Sequence, residues 1–336
     1  MRTITVVIPT YERRDAVERA LLALRDQIDD DPSLGTGLDV VVVVDGSEDG
    51  SLELVGELEF PAPLKSVWQR NRGRSAARNA GLAVANGEVV WFLDDDLVPG
   101  PGLLRRHREA HEAGEDHVLV GPYPLAPGSR VAPNRRWFDE TYAELAKDGV
   151  ITRADRFSIA NTSGPAEVFR AVGGFDESFT GWGVEDLELG YRLLCAGYEI
   201  NFDPDARATH RQELSPEQLC ANCVSNGRNL VRAFTLHPDL VDHLIPLEPS
   251  ASSPERARTT AGRAFRLVPV RSSLAYRLAA SAAAGAAKVE SAVTRNRSQR
   301  ALYLAMVMST LAGMAEADPS GGYVARKLGI VDRTAD

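Results

Sequence analysis

Val89-Val90-Trp91-Phe92-Leu93-Asp94-Asp95-Asp96 runs five apolar residues straight into three consecutive carboxylates. An unbroken apolar run of this length, rich in β-branched and aromatic residues, predicts a strand buried on both faces. Three anions at one strand end repel each other unless a cation sits among them. In open α/β sheets ligands gather at the carboxyl ends of strands, and hard divalent cations such as Mg²⁺ or Mn²⁺ favour carboxylate oxygens that they share with phosphates. The stretch therefore points to a site for a metal and a diphosphate. A solvated acidic turn would carry the same residues, so the rest of the chain has to decide.

Upstream of this strand, helix and strand patterns alternate. Ile4 to Ile8 reads as a strand stopped by Pro9, Asp15 to Arg25 as a helix, residues 26 to 38 as a loop, and Asp39 to Val44 as a second buried strand. A helix over Ser51 to Leu58, a strand over Leu64 to Trp68 and a helix over Ser75 to Ala85 follow, and downstream a helix over Gly102 to Ala113 and a strand over His117 to Val120. This order predicts an α/β fold, a mostly parallel sheet flanked by helices. Residues 122 to 156 read as irregular loop with one helix, after which Leu187 to Ala196 looks helical and Tyr198 to Phe202 strand-like. From residue 213 the composition turns helical, and Ala275 to Ala317 is Ala-rich, which predicts a C-terminal helical appendage with a linker at Pro246 to Pro254. The expected division is 1–212, with halves 1–121 and 122–212, followed by 213–336.

The chain has 336 residues, 44% of them hydrophobic and 25% charged, a globular composition with room for a sizeable core. Its net charge of -9 argues against a nucleic-acid partner. Three cysteines in a chain of this length argue against a disulfide framework, and Cys220-x-x-Cys223 lacks the second pair that a zinc site needs. The start of the chain has no signal-peptide layout, and no apolar run approaches a membrane span. A cytoplasmic protein is expected. Arg263 to Val293 offers a basic face for peripheral contact with the inner membrane, although an ordinary helix packed on the main domain is the preferred reading.

Pro9-Thr10-Tyr11-Glu12 follows the first strand and Asp45-Gly46-Ser47 the second, so in a parallel sheet both loops open at the same edge as Asp94, Asp95 and Asp96. Asn71-Arg72-Gly73-Arg74-Ser75-Ala76-Ala77-Arg78 joins a loop to a small-residue helix start, where backbones approach closely and anions are favoured.

Taken together, Ile8-Pro9-Thr10-Tyr11, Val44-Asp45-Gly46-Ser47, Asn71-x-Gly73-x-Ser75-x-Ala77-Arg78-Asn79-x-Gly81, Asp94-Asp95-Asp96 and Gly181-Trp182-Gly183-Val184-Glu185-Asp186 resemble the ordered motif set of glycosyltransferase family 2. The resemblance covers residues 3 to 212 and implies the GT-A fold, a Rossmann-like nucleotide-diphospho-sugar transferase. It implies that Pro9, Thr10, Tyr11, Glu12, Asp45, Asn71, Arg78, Asp94 and Asp95 hold the donor nucleotide, with a UDP-sugar the expected donor. It implies Mn²⁺ or Mg²⁺ on Asp96, with Asp94 and His210 as further ligands. The Trp-Gly-x-Glu-Asp motif is similar to one of β-galactosyltransferases and polypeptide GalNAc-transferases, and assigns Trp182, Gly183 and Glu185 to the acceptor or sugar. Asp186 is then the general base, with Glu185 beside it, and the Glu-Asp pair implies inversion. The partners would be a nucleotide sugar and a hydroxyl-bearing acceptor, whether glycan, lipid-linked or secondary metabolite.

One departure is Val44-Asp45-Gly46-Ser47 where the family commonly has Asp-Asp-x-Ser, which leaves guanosine and thymidine donors open beside uridine. Two rival classes remain. A nucleotidyltransferase would start with a glycine-rich, basic pyrophosphate loop, where Pro9-Thr10-Tyr11 stands instead; a silent sugar-nucleotide-binding module would be expected to have lost Asp94, Asp96 or Asp186. An acidic pair at a helix start also caps that helix, the alternative role for Glu185 and Asp186.

Overall fold

The computed structural model describes residues 2–112, 116–127, 135–211 and 214–240, with 309–310, 312–314 and 316–317 towards the C-terminus. They belong to two compact units, one drawn from Met1–Arg130, Asn134–Thr180 and Glu185–Glu213, the other from Val131–Pro133, Gly181–Val184 and Leu214–Asp336.

In the first unit the chain runs β1 (Ile4–Thr10), α1 (Arg14–Asp30), β2 (Leu38–Asp45), α2 (Ser51–Glu57), β3 (Leu64–Gln69), α3 (Arg74–Val84) and β4 (Val89–Leu93). It continues through β5 (Leu97–Pro99), α4 (Leu103–Ala110), β6 (Val118–Val120), α5 (Arg135–Asp148), β7 (Asn161–Pro165), α6 (Ala166–Ala171), α7 (Glu185–Cys195), β8 (Ile200–Phe202) and β9 (Ala208–His210). Seven strands form one sheet in the order β3-β2-β1-β4-β7-β6-β8, while β5 and β9 pair apart from it. Strands β3, β2, β1 and β4 are mutually parallel, as are β6 and β8; β7 lies antiparallel between β4 and β6.

The Val runs are buried because helices cover both sheet faces. Val6, Ile8, Val40, Val42, Trp91 and Leu93 pack with Val17, Leu21 and Leu24 of α1 on one side. Val7, Val41, Val43, Val90 and Phe92 pack with Ala77 and Leu82 of α3 and with Phe169 and Phe175 on the other. The small residues of α3 let it lie close on the sheet: a Cβ at Gly81 would fall 2.2 Å from Val7 Cγ1.

Four features depart from the sequence expectation. β1 passes through Pro9 to Thr10, because the β1–β4 register ends at Val7↔Phe92 and position 9 has no ladder to interrupt on that side. α1 continues to Asp30 and is followed by a 3₁₀ turn over Pro32–Gly35, since Gln27, Ile28 and Leu34 are all buried. β5 and β9 are too short to leave a periodic signal. β7, Asn161-Thr162-Ser163-Gly164-Pro165, is fully buried yet contains no large apolar residue. Its polar groups are met internally: Asn161 Oδ1 accepts from Trp91 Nε1 at 3.1 Å and lies 3.0 Å from His107 Nε2, and Ser163 Oγ lies 2.7 Å from His107 Nδ1 and 2.8 Å from His111 Nε2.

In the second unit α8 (Pro216–Leu236) starts with a capping box, in which Ser215 and Gln218 exchange side-chain and backbone hydrogen bonds. Gly227 lets it approach the helical residues near 310, where a Cβ would fall 2.0 Å from the Thr310 carbonyl oxygen, and Arg228 pairs with Glu316. The expected linker at 246–254, the basic face at 263–293 and most of the Ala-rich stretch lie outside the described residues. Among the described residues no helix is long and apolar enough to cross a membrane.

Candidate active site

The carboxyl ends of β1, β2 and β4 carry Thr10, Asp45 and Asp94–Asp96, and an arginine organises each side of the aspartate run. Arg78, 2% exposed at its side chain on α3, donates from Nη2 to Asp94 Oδ1 at 2.8 Å and from Nη1 to Glu185 Oε1 at 3.2 Å. Its guanidinium carbon lies 5.5 Å from the Phe175 ring centroid. Arg74 adds a second charge 3.5 Å from Glu185. The α3 arginine thus joins the end of β4 to the first turn of α7, two segments more than 90 residues apart in sequence.

Arg13 serves the other two aspartates, with Nη1 donating to Asp95 Oδ1 at 3.1 Å and to Asp96 Oδ2 at 2.7 Å. Asp95 also accepts from Thr10 Oγ1 at 2.8 Å. Burial and the neighbouring Asp96 carboxylate push Asp95 up to about 7, against the pull of Arg13 and Thr10. Burial also works against ionisation of Asp96, yet His210 and Arg13 hold it well below the usual carboxylate range. His210 Nε2 lies 3.4 Å from Asp96 Oδ2. The β5–β9 pair brings these two together, Leu97 standing opposite His210 in its register, and Arg211 N–H donates to the Asp96 carbonyl. Tyr123 packs edge-on against the His210 ring and donates its hydroxyl to Ser158 Oγ at 2.6 Å.

Asp186 follows Glu185 in the first turn of α7 and accepts the Leu187 N–H at 2.8 Å. Burial and the adjacent Glu185 carboxylate push it up to about 6, offset by Arg78. A carboxylate with that affinity is ionised at neutral pH and still basic enough to take a proton.

The nucleoside-side residues are placed differently from one another. Asp45 is buried and spends both oxygens on the protein, Oδ1 accepting from Gln69 Nε2 at 2.7 Å and Arg72 N–H at 2.9 Å, Oδ2 from Gly73 N–H at 2.9 Å. It therefore shapes the loop after β3. Gly46, at φ 83°, sits where a Cβ would meet Asn71 N at 2.6 Å, which explains glycine there. Glu12 takes the left-handed region at φ 51°, its N–H donating to Ser47 Oγ and its carboxylate accepting the Glu48 N–H. Tyr11 and Asn71 are exposed, and Pro9 is part of β1. Trp182 and Gly183 fall in the second unit, where Trp182 N–H donates to Ser225 Oγ and the Gly183 carbonyl accepts from Asn229. Val184, also there, holds φ 79°, a strained value for a β-branched residue.

Arg78 thus links Asp94 to Glu185, and Arg13 links Asp95, with Thr10 on it, to Asp96, with His210 beside it. Arg13, Arg74 and Tyr123 were not among the residues read from the motifs. Arg13 directly follows Pro9-Thr10-Tyr11-Glu12, and the need of three aspartates for counter-charge was the signal that could have found it. Among the described residues no three His, Cys, Asp or Glu side chains gather closely enough to hold a metal ion by themselves.

Residues 5–171 match the model for glycosyl transferase family 2, and residues 144–214 that for the N-terminal domain of galactosyltransferase. A validoxylamine A glucosyltransferase of Streptomyces hygroscopicus subsp. limoneus is 31% identical over 274 residues, 72% of this chain and 58% of that protein. A chondroitin synthase of Pasteurella multocida is 25% identical over 283 residues, 74% of this chain and 28% of that protein. The chain thus spans well under two thirds of the length of these relatives. Among solved structures, the mannosyltransferase PcManGT from Pyrobaculum calidifontis in complex with GDP-Man and Mn²⁺ aligns with TM-score 0.59 at 20% identity, over 94% of this chain and 87% of that one. S. aureus TarS 1-349 in complex with UDP-GlcNAc aligns with TM-score 0.54 at 17% identity, over 97% and 92%. The fold is that of these glycosyltransferases, and over residues 5–171 the chain belongs to glycosyl transferase family 2.

Proposed function

We propose that the chain is a metal-dependent, inverting glycosyltransferase that moves a sugar from a nucleotide-diphosphate donor to an acceptor hydroxyl. The observation that carries this reading is the buried Arg78, which ties Asp94 at the end of β4 to Glu185 beside Asp186. It fastens the donor-side and the acceptor-side carboxylates into one charged group.

Asp96 and His210 would hold Mn²⁺ or Mg²⁺. Their facing atoms are 3.4 Å apart, close to the roughly 3 Å between adjacent ligands of an octahedral ion bound at about 2.1 Å, and an imidazole beside a carboxylate favours Mn²⁺. Asp94 Oδ1 is engaged by Arg78, so Asp94 would reach the ion through Oδ2, and the donor diphosphate and water would complete the set. When bound, the ion stabilises negative charge on the departing diphosphate.

The protein's own residues do the rest. As the acceptor oxygen bonds to the anomeric carbon and the bond from that carbon to the diphosphate breaks, Asp186 takes the hydroxyl proton. Glu185, fixed by Arg78 and Arg74, orients a sugar hydroxyl. Attack on the face opposite the leaving group inverts the anomeric centre.

Uridine remains the expected base, but Asp45 already accepts three hydrogen bonds from the protein, which leaves Oδ2 with room for one further donor and keeps guanosine in play. The relatives that bind GDP-Man and UDP-GlcNAc span both choices. Asp186→Asn should abolish transfer and leave nucleotide binding within a few-fold of wild type. NMR of the product anomer reads the stereochemistry, and retention, or undiminished transfer by the variant, would remove Asp186 as the base.

A further inference from the structure

Arg13 puts a positive charge where a divalent cation would sit. Its Nη1 is 2.7 Å from Asp96 Oδ2, the same oxygen that lies 3.4 Å from His210 Nε2. A metal ion on that oxygen and a guanidinium nitrogen on that oxygen repel each other, so one must yield. The arrangement lets Arg13 yield without leaving. Its second partner, Asp95, is 8% exposed and pinned by Thr10, and so anchors the guanidinium whichever way Asp96 is used. Arg13 itself is 38% exposed at its side chain, with room to turn towards an arriving anion.

We propose that Arg13 is an internal counter-cation that occupies Asp96 until a nucleotide donor arrives, and thereby couples metal binding to donor binding. The inference rests on the reading of Asp96 and His210 as metal ligands. With a diphosphate in the site, the guanidinium gains an anionic partner besides Asp95 and releases Asp96 to the ion. Without it, the metal must displace a charge-assisted hydrogen bond unaided. By linkage, the factor by which nucleotide tightens metal equals the factor by which metal tightens nucleotide. In this scheme Arg13 contacts the donor through its diphosphate oxygens and touches neither the anomeric carbon nor the acceptor hydroxyl.

The test is a Mn²⁺ titration followed by EPR on the full chain, alone and with UDP or GDP. Wild type should bind Mn²⁺ weakly alone and at least about tenfold more tightly with one of the nucleotides. Arg13→Gln should bind Mn²⁺ alone roughly tenfold to a hundredfold more tightly than wild type, the worth of the hydrogen bond no longer competing, and its coupling to nucleotide should shrink by the same factor. The double variant Arg13→Gln/Asp95→Asn takes away the guanidinium together with the carboxylate it is anchored on, so no buried carboxylate is orphaned. It should also bind Mn²⁺ alone more tightly than wild type, and it carries the test if the single variant does not fold. A double variant that binds Mn²⁺ alone no more tightly than wild type would mean that occupancy of Asp96 by Arg13 does not limit the affinity, and would overturn the proposal. Binding of Mn²⁺ to wild type with nucleotide, but unchanged or weaker binding to Arg13→Gln alone, would overturn it while leaving the metal site intact. Absence of Mn²⁺ binding to wild type with either nucleotide would sink the metal reading and the proposal together.

Discussion

Replacing Arg78 separates its structural and functional roles and gives a cost that follows from its surroundings. The side chain is 2% exposed and donates to two carboxylates at 2.8 and 3.2 Å. Arg78→Met removes the counter-charge of both, and breaking a buried ion pair on one side costs about 3–5 kcal/mol. Arg78→Lys keeps the charge but has no fork, so it serves one carboxylate well and forfeits about one charge-assisted hydrogen bond, about 1.5–3 kcal/mol. Arg74, 3.5 Å from Glu185, softens both losses on that side. Urea unfolding followed by circular dichroism should therefore rank wild type above Lys above Met, with the midpoint moving and the slope constant. Calorimetric titration of nucleoside diphosphate into the folded variants should show weakened binding for both, since Asp94 loses its fixed orientation. A Met variant within about 1 kcal/mol of wild type would rule out this role for Arg78, because the carboxylates would then have other partners. A Lys variant less stable than Met would refute it equally.

Two further outcomes concern pH. Burial pushes His107 and His111 down to about 3, so both are neutral when folded and take up protons on unfolding below about 6.5. The unfolded state binds more protons between those values, so this stabilisation is complete above about 6.5 and is lost as pH falls, about 1.3 kcal/mol per imidazole between pH 7 and 5.5. Asp95 and Asp186, shifted up to about 7 and about 6, act in the opposite sense, so the comparison with His111→Gln isolates the histidine; the stability gap between the two proteins should change by about 1.3 kcal/mol over that range, and a gap independent of pH would contradict the neutral assignment. For the reaction itself, the ionised form of Asp186 is the active one, so transfer should rise about tenfold per pH unit up to about 6 and level off above it; a profile flat from pH 5 to 7 would move the base elsewhere.

The aspartate run and the Val-rich strands were legible because full burial on both faces leaves continuous apolar sequence, and because repelling charges at a strand end demand an explanation. The family motifs then named most of the residues that Arg78 and Arg13 link. β7 was hidden for a physical reason: its partners are imidazoles and an indole on other elements, so a strand of Asn, Thr, Ser, Gly and Pro sits in the core with no hydrophobic pattern to announce it. The β5–β9 pairing that delivers His210 to Asp96 is likewise a long-range contact between three-residue strands. Asp45 was read as a nucleoside contact from its motif, but the motif carries no record of the three protein donors that occupy it.

Nucleotide-sugar turnover reads the transferase activity itself. The full chain would be incubated with Mn²⁺ and separate UDP-, GDP- and dTDP-sugars, and release of nucleoside diphosphate measured with and without EDTA. A metal-dependent transferase should release nucleoside diphosphate from at least one donor, slowly without an acceptor and not at all with EDTA. No release from any donor, together with no shift of the melting temperature by any of the nucleotides, would contradict that function.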